Sequence, residues 1–289
     1  MEAEPQDPTT AEEQFRSVAA SAPDARQRFR ELFAQVAEDC DLPPLPEVAA
    51  RALALTRDPR TSLPDVARLV ADDAAIAARV LKMSRSAVYV GRRQPPRTVE
   101  EAISTIGMNA VRRVLVAASA HAVHLTGNEV GQALWNHALA TALAADELAR
   151  LSGQPSGGEE FIAGLLHDVG RLVCHLADRT TYATLGHFDE AGEKARYGAS
   201  HPVVAAALVD RWGLEMTVVK AIIEHHSSPV YPGPGGRLAQ ADWVAHRIGY
   251  GATEGDIPDL EIVDSARVDL DALSERVAEA FEQERAFFS

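Results

Sequence analysis

The sequence predicts an all-α protein, and three observations carry that prediction. Apolar residues recur at helical spacing through most of the 289 residues, and strand-like alternation of β-branched residues is almost absent. Alanine is abundant while aromatics make up only 6% of the chain, a composition that suits closely packed helices. Hydrophobic residues at 46% and charged ones at 24% are ordinary for a globular protein, enough for one large core or two modest ones.

The elements follow in order. Met1 to about Ala25 has little to bury and reads as a disordered tail. A helix is expected over Ala25–Asp39, ending before the Leu42-Pro-Pro-Leu-Pro46 turn, and another over Glu47–Thr56 with Val48, Ala52 and Leu55 on one face. Ser62-Leu-Pro-Asp65 is a capping box with proline in the first turn, opening a helix to about Ala71, and a short helix follows over Ala74–Met83. Thr98 and Glu101 form a second capping box for a helix ending near Gly107, followed by a long apolar helix over Asn109–Leu125. The run Gly127–Gly131 then breaks the pattern and marks a subdomain boundary. Beyond it helices are expected near Leu134–Leu151, Glu159–Ala177, Pro202–Trp212, Glu215–His226 and Leu238–Gly249. Ser227–Gly236 is too rich in proline and glycine to be regular, residues 250–268 are irregular and acidic, and an amphipathic helix closes the chain over Asp269–Phe287.

Composition also limits the partners. No apolar run reaches the roughly 20 residues of a membrane span. The acidic start MEAEPQDPTTAEEQ resembles neither a signal nor a transit peptide, and two cysteines, Cys40 and Cys174, are too few for a disulfide framework. A cytoplasmic location is the expectation. The net charge of −14 argues against nucleic acid as the main ligand. The short helix pair between Ser62 and Met83 admits a DNA-binding helix-turn-helix reading, but such pairs are common in any compact helical bundle.

The stretch Phe161–His175, FIAGLLHDVGRLVCH, is apolar on every side, as in a helix buried on all faces, yet carries His167 and Asp168 in its middle. A buried imidazole or carboxylate needs a partner, because desolvating it unpaired costs on the order of several kcal/mol. His137 shares a helix face with Leu134, Thr141 and Leu148, and Asp242 shares one with Leu238 and Ala245. His201 opens a helix before Pro202, and His225-His226 closes another. Imidazole and carboxylate donors suit Fe, Mn, Zn or a similar divalent ion. His137, His167, Asp168 and Asp242 make a set for one ion, and His201, His225 and His226 a set for a second; two ions would activate water and clamp a phosphoryl group. His175 and His246 read as hydrogen-bonded core residues, and His121 and His124 carry no signal beyond their helix. The loop arginines Arg85, Arg92, Arg93 and Arg97 admit two readings, an anion or partner contact or a solvated basic loop.

At this point the sequence resembles a known family. WNHALATALAADELA, FIAGLLHDVGRLV, HPVVAAALVDRWGL, AIIEHH and QADWVAH, in that order, resemble the HD superfamily of metal-dependent phosphohydrolases, and more closely its HDOD branch, the HD-related output domain of bacterial signalling proteins. LPPLPEVAARALAL, SLPDVARLVADDAAIAARVLKM, SAVYVG and TVEEAISTIGMNAVRRVLVAAS resemble the five-helix half that precedes the HD-like half in that branch. The resemblance covers roughly Arg28 to Ala280 and implies a two-lobed bundle: a tail to residue 25, an N-terminal helical lobe over 26–127, and an HD-like lobe with the amphipathic C-terminal helix over 128–289.

For function, the resemblance implies a regulatory module that acts through a protein partner in a signalling pathway, or through a nucleotide or cyclic dinucleotide, without demonstrated hydrolysis. It also implies one or two divalent ions at His137, His167, Asp168 and Asp242, with His201, His225 and His226 matching the additional histidines of the HD-GYP phosphodiesterases. Were the protein an enzyme, Asp168 and Arg171 would be its catalytic candidates. Arg171 stands where the active relatives have a phosphate-contacting lysine; an arginine can hold phosphate but does not release a proton near neutral pH. Ser227 replaces the glutamate that follows the double histidine there, the GYP loop is missing, and Arg85 replaces the asparagine usual before Ser86-Ala87.

Overall fold

The computed structural model describes residues 60–85, 94–125, 128–153, 158–182, 190–226, 233–251 and 269–288, together with Arg28 and Glu31. The expected tail, the turn at Leu42–Pro46, the helix over Glu47–Thr56, Arg92, Arg93 and the acidic stretch from residue 252 lie outside them, as does the helix over Ala25–Asp39 except for Arg28 and Glu31, both helical. Every regular element among the described residues is a helix, with no strand.

Helix α1 (Leu63–Ala71) starts as expected: the Ser62 N–H donates to Asp65 Oδ2 at 3.2 Å, and Pro64 sits in the first turn, where no helical N–H is needed. Asp73 caps α2 (Ala74–Ser84) by accepting from the N–H groups of Ala75 and Ile76 at 2.9 and 3.0 Å. Both pack on α3 (Val99–Leu125), burying Val66, Leu69 and Val70 from α1 and Ile76, Val80 and Met83 from α2. The Glu101 N–H donates to Thr98 Oγ1 at 3.1 Å, while the Glu101 carboxylate accepts from the Arg97 N–H at 2.7 Å. As expected, α3 is broken at Gly107, whose φ of 82° and ψ of 165° are not helical, so a helix lies on either side of it.

Helix α4 (Asn128–Leu151) begins six residues earlier than expected. Gly131 is not a breaker here: a Cβ on it would fall 1.9 Å from the His124 carbonyl oxygen, so glycine lets the start of α4 lie against the end of α3. The stretch Phe161–Leu176 is buried at every position, as its all-round apolarity predicts. It is nonetheless two helices, α5 (Glu159–Leu166) and α6 (Val169–Ala177), because Asp168 leaves the helical path with φ −101° and ψ 7°. Two short helices, α7 (Arg179–Tyr182) and α8 (Glu190–Tyr197), were not expected.

Helices α9 (His201–Arg211), α10 (Met216–Glu224), α11 (Pro234–Arg247) and α12 (Leu270–Phe288) complete the described chain. Helix α10 stops at Glu224, leaving His225 and His226 just past its end. Helix α11 starts inside the proline- and glycine-rich run because Pro234 occupies its first turn. Around the α5–α6 junction α4 packs on α5, α6 and α11, α11 on α10, α10 on α9, and α9 on α6. Helix α12 lies on α4 and reaches α2. The buried apolar side chains form one continuous cluster from Val66 to Phe281, and the free thiol of Cys174 is inside it.

Candidate metal centre

The break between α5 and α6 turns His167 and Asp168 into the same space, and two glycines bring the neighbouring helices close to them. A Cβ on Gly164 would fall 2.6 Å from Ala142 Cα, so α5 touches the backbone of α4, which carries His137. A Cβ on Gly170 would fall 2.1 Å from the His201 carbonyl oxygen, so α6 touches the first turn of α9. The motif Gly-Leu-Leu-His-Asp-Val-Gly therefore supplies both the polar pair and the close approach on either side of it.

The predicted residues converge, and they do so in two groups that share Asp168. In the first, His137 Nε2 lies 3.1 Å from His167 Nε2, 3.0 Å from Asp242 Oδ1 and 3.7 Å from Asp168 Oδ2. His167 Nε2 is 3.7 Å from the same Asp168 oxygen. In the second, Asp168 Oδ1 is 3.3 Å from His201 Nε2 and 3.7 Å from His225 Nε2, and His201 Nε2 is 2.9 Å from His226 Nε2. One carboxylate thus offers a different oxygen to each group. His137, His167 and His201 are fully buried, and Asp168, His225 and Asp242 nearly so.

The donor chemistry fits divalent ions. Nδ1 of His137 faces the Tyr250 carbonyl at 2.8 Å, that of His167 the Gly164 carbonyl at 2.8 Å, and that of His225 the Ile222 carbonyl at 2.6 Å. A carbonyl only accepts, so each Nδ1 carries a proton and each ring turns its Nε2 inward, the atom left to ligate. Donors bound about 2.1 Å from one ion sit roughly 3.0–3.5 Å apart, close to the 2.9–3.7 Å found here. Without an ion these Nε2 atoms face one another or carboxylates, and Asp168 Oδ1 and His225 Nε2 are buried with no hydrogen-bond partner.

The electrostatics point the same way. Burial pushes the His167 imidazole down to about 3 and that of His226 far below its ordinary range, so both are neutral and able to ligate. Burial also opposes charge on His137 and His201, but carboxylates outweigh it, Asp242 beside His137 and Asp168 with Glu193 beside His201, and both imidazoles are raised. Burial would raise Asp168 and Asp242; the Arg171 charge beside Asp168 and the His137 hydrogen bond to Asp242 hold both well below the usual carboxylate range.

Three contributors escaped the sequence reading. Glu193 is buried in α8, accepts from the His201 Nδ1–H and the His201 backbone N–H, both at 2.7 Å, and from the Tyr182 hydroxyl at 2.9 Å. Its sequence neighbourhood, EAGEKARY, looks like a solvated face, so nothing local marked it. His246, read as a core residue, groups with His137 and Asp242, its Nε2 3.6 Å from Asp242 Oδ1; the signal was its four-residue spacing from Asp242 on one helix. Tyr250 acts through a backbone carbonyl, which no side-chain pattern reveals.

Arg171 is buried, with Nε donating to Asp168 Oδ2 at 2.9 Å and Nη1 3.7 Å from Glu193 Oε1. Asp168, Arg171, Glu193 and His201 thereby close a ring of alternating partners. Of the loop arginines, Arg85 donates from Nε to the Pro96 carbonyl at 2.9 Å, and Arg97 is exposed.

Comparison with known proteins then places the chain: the family model of the HDOD domain matches residues 42–228. The chain belongs to the HDOD family. An uncharacterised protein of Treponema pallidum (strain Nichols) is 26% identical to this HDOD protein over 200 residues, 66% of this chain and 39% of that one, so the chain spans about two fifths of that relative's length. Among solved structures, an HDOD domain protein of unknown function from Geobacter sulfurreducens superposes with a TM-score of 0.66 at 21% identity, covering 92% of this chain and 98% of that one. A protein from Shewanella amazonensis SB2B, proposed by its name to be a phosphohydrolase, gives a TM-score of 0.65 at 23% identity, covering 88% and 97%. These likenesses establish the all-α HDOD fold. Two of the three candidate ligands in the group of Asp242, His246 and His137 come from α11, beyond the matched segment.

Proposed function

We propose that this HDOD protein is a signalling module whose buried centre takes one or two divalent ions, Fe, Mn or similar, and presents the resulting arrangement of helices to a protein partner without turning over a phosphodiester. The observation that carries this reading is Arg171. Its guanidinium is buried against Asp168 and Glu193, at the position where the hydrolytic relatives keep a lysine for phosphate. A cation engaged by two carboxylates in a low-dielectric setting does not turn toward an anionic substrate without giving up both contacts. The ions would supply positive charge that draws the inward lone pairs together, and the helix breaks at His167–Asp168 and after Glu224 would be fixed by them. The face carrying Arg85 and Arg97 is the surface we assign to a partner, and the cytoplasm is the compartment we assign to the protein; no helix among the described residues is long and apolar enough to cross a membrane.

A second reading has its own support. Asp168 offers separate oxygens to two histidine groups, the layout that lets two ions activate water and clamp a phosphoryl group, with a nucleotide or cyclic dinucleotide as substrate. One experiment divides the two: metal content of anaerobically purified protein, followed by turnover of bis-p-nitrophenyl phosphate and of cyclic dinucleotides with Mn²⁺ and Fe²⁺. About one or two ions per chain with no turnover is the expected result; turnover abolished by Asp168→Ala in a folded protein establishes the hydrolase instead. DNA binding through α1 and α2 is a third reading, opposed by the net charge of −14, and a shifted DNA band at moderate salt would revive it.

A further inference from the structure

The histidines of the centre are not all held in the same way. His167 and His225 donate Nδ1–H to carbonyls three residues back in their own chain, so their orientation is local. His137 donates instead to the Tyr250 carbonyl, 113 residues away. Tyr250 follows α11 through a reversal in which Gly249, at φ +89°, donates its N–H to the His246 carbonyl at 3.0 Å and Tyr250 donates to the Ala245 carbonyl at 2.9 Å. Only a residue that tolerates positive φ makes that turn, and the turn aims the Tyr250 carbonyl at His137.

Helix α12 then grips Tyr250 at two successive residues. The Tyr250 ring lies 3.9 Å from the Phe281 ring centroid to centroid, inclined by 32°, and the Tyr250 hydroxyl donates to Glu282 Oε1 at 3.0 Å. Phe281 is fully buried in the core, so this anchor is fixed to α4 and α11, on which α12 packs. The chain of contacts runs from α12 through Tyr250 to His137 and so to the first group of donors. All of it except His137 lies beyond residue 228, outside the segment that matches the family.

We propose that Tyr250 is a positioning residue for the ion held by His137, His167, Asp168 and Asp242, and that α12 sets the affinity for that ion through it. The inference rests on the metal reading above. Removing a group that orients a metal-bound histidine costs about 10- to 100-fold in affinity. Coupling is reciprocal, so the same ion tightens α12 by the same factor.

The test is titration of the full chain with Mn²⁺, with His226→Ala identifying the ion of the other group, since it strips a ligand there alone. Tyr250→Ala should weaken the first ion by about 10- to 100-fold and leave the other unchanged, while Tyr250→Phe, which keeps the stacked ring, should restore most of the loss. Amide exchange in α12 should slow on Mn²⁺ addition to wild type and not to Tyr250→Ala. If Tyr250→Ala fails to fold, Phe281→Leu removes the stacking partner while keeping apolar volume and should give the same selective loss. Wild-type affinity for both ions in these variants, or equal loss of both, overturns the inference while leaving the metal centre standing. A wild-type chain that binds no ion overturns both.

Discussion

Replacing Gly170 by alanine asks whether the close approach of α6 to α9 builds the second half of the centre. The added Cβ would lie 2.1 Å from the His201 carbonyl oxygen and 2.8 Å from the Ala205 nitrogen. Both are backbone atoms, so no side chain can swing away, and ordinary contact at 3.4 Å requires the helices to part by about 1.3 Å. Overpacking of this kind costs about 1–3 kcal/mol, against which alanine regains about 1 kcal/mol of helix propensity. A net loss of about 0–2 kcal/mol follows, at most a few degrees in Tm for a domain of this size. The larger effect should fall on the ions: opening the 3.3 Å gap between Asp168 Oδ1 and His201 Nε2 by a similar distance takes it out of ligand range. Urea denaturation of the metal-free protein and Mn²⁺ titration report the two effects separately. A Gly170→Ala protein with unchanged stability and both ions retained would refute the argument that this contact places His201.

Four further outcomes are expected. Asp168→Ala takes from the buried Arg171 guanidinium the carboxylate that accepts from its Nε at 2.9 Å and should destabilise the metal-free protein by about 3–5 kcal/mol, measured by denaturant midpoint, besides abolishing ion binding. Mn²⁺ at 100 times its Kd should add about 2.7 kcal/mol of stability, seen as a rise in Tm that a chelator reverses. Ion affinity should fall as pH drops, because His137 and His201 hold raised protons that must leave when their Nε2 atoms ligate; calorimetry in buffers of different ionisation enthalpy counts those protons. His124 is buried with Nδ1 donating to the Ala120 carbonyl at 2.7 Å, and burial lowers it to about 4. The unfolded chain takes up that proton first, so this residue's stabilisation is complete above pH 6.5 and is lost as pH falls toward 4, by about 3 kcal/mol, and His124→Gln should show a shallower acid decline in denaturant midpoint.

What the sequence disclosed followed how local the cause was. Capping at Ser62, a reciprocal contact between two residues three apart, was legible, as was the all-round burial of Phe161–Leu176. The break at His167–Asp168 was not, because apolar periodicity continues across it and the deviation belongs to one residue's backbone. The seven residues expected to converge were identifiable by type and inward face, and they do converge. Their division into two groups through one carboxylate depended on helix approaches set by Gly164 and Gly170, which look like ordinary helix interruptions until the neighbouring backbone is known. Glu193 was hidden for the opposite reason: α8 is polar along most of its length, and only the tertiary placement of His201 turns one of its glutamates inward.

The ring formed by Asp168, Arg171, Glu193 and His201 bears on how such a protein changes over generations. Each member answers the charge or proton of its neighbour in a buried site, so replacing any one leaves two neighbours a partner short at a cost of about 3–5 kcal/mol, a large share of a domain's stability. A lineage with no use for hydrolysis could not shed these residues one at a time without passing through poorly folded intermediates. Selection for folding alone is enough to keep such a ring, and its presence carries no vote for catalysis.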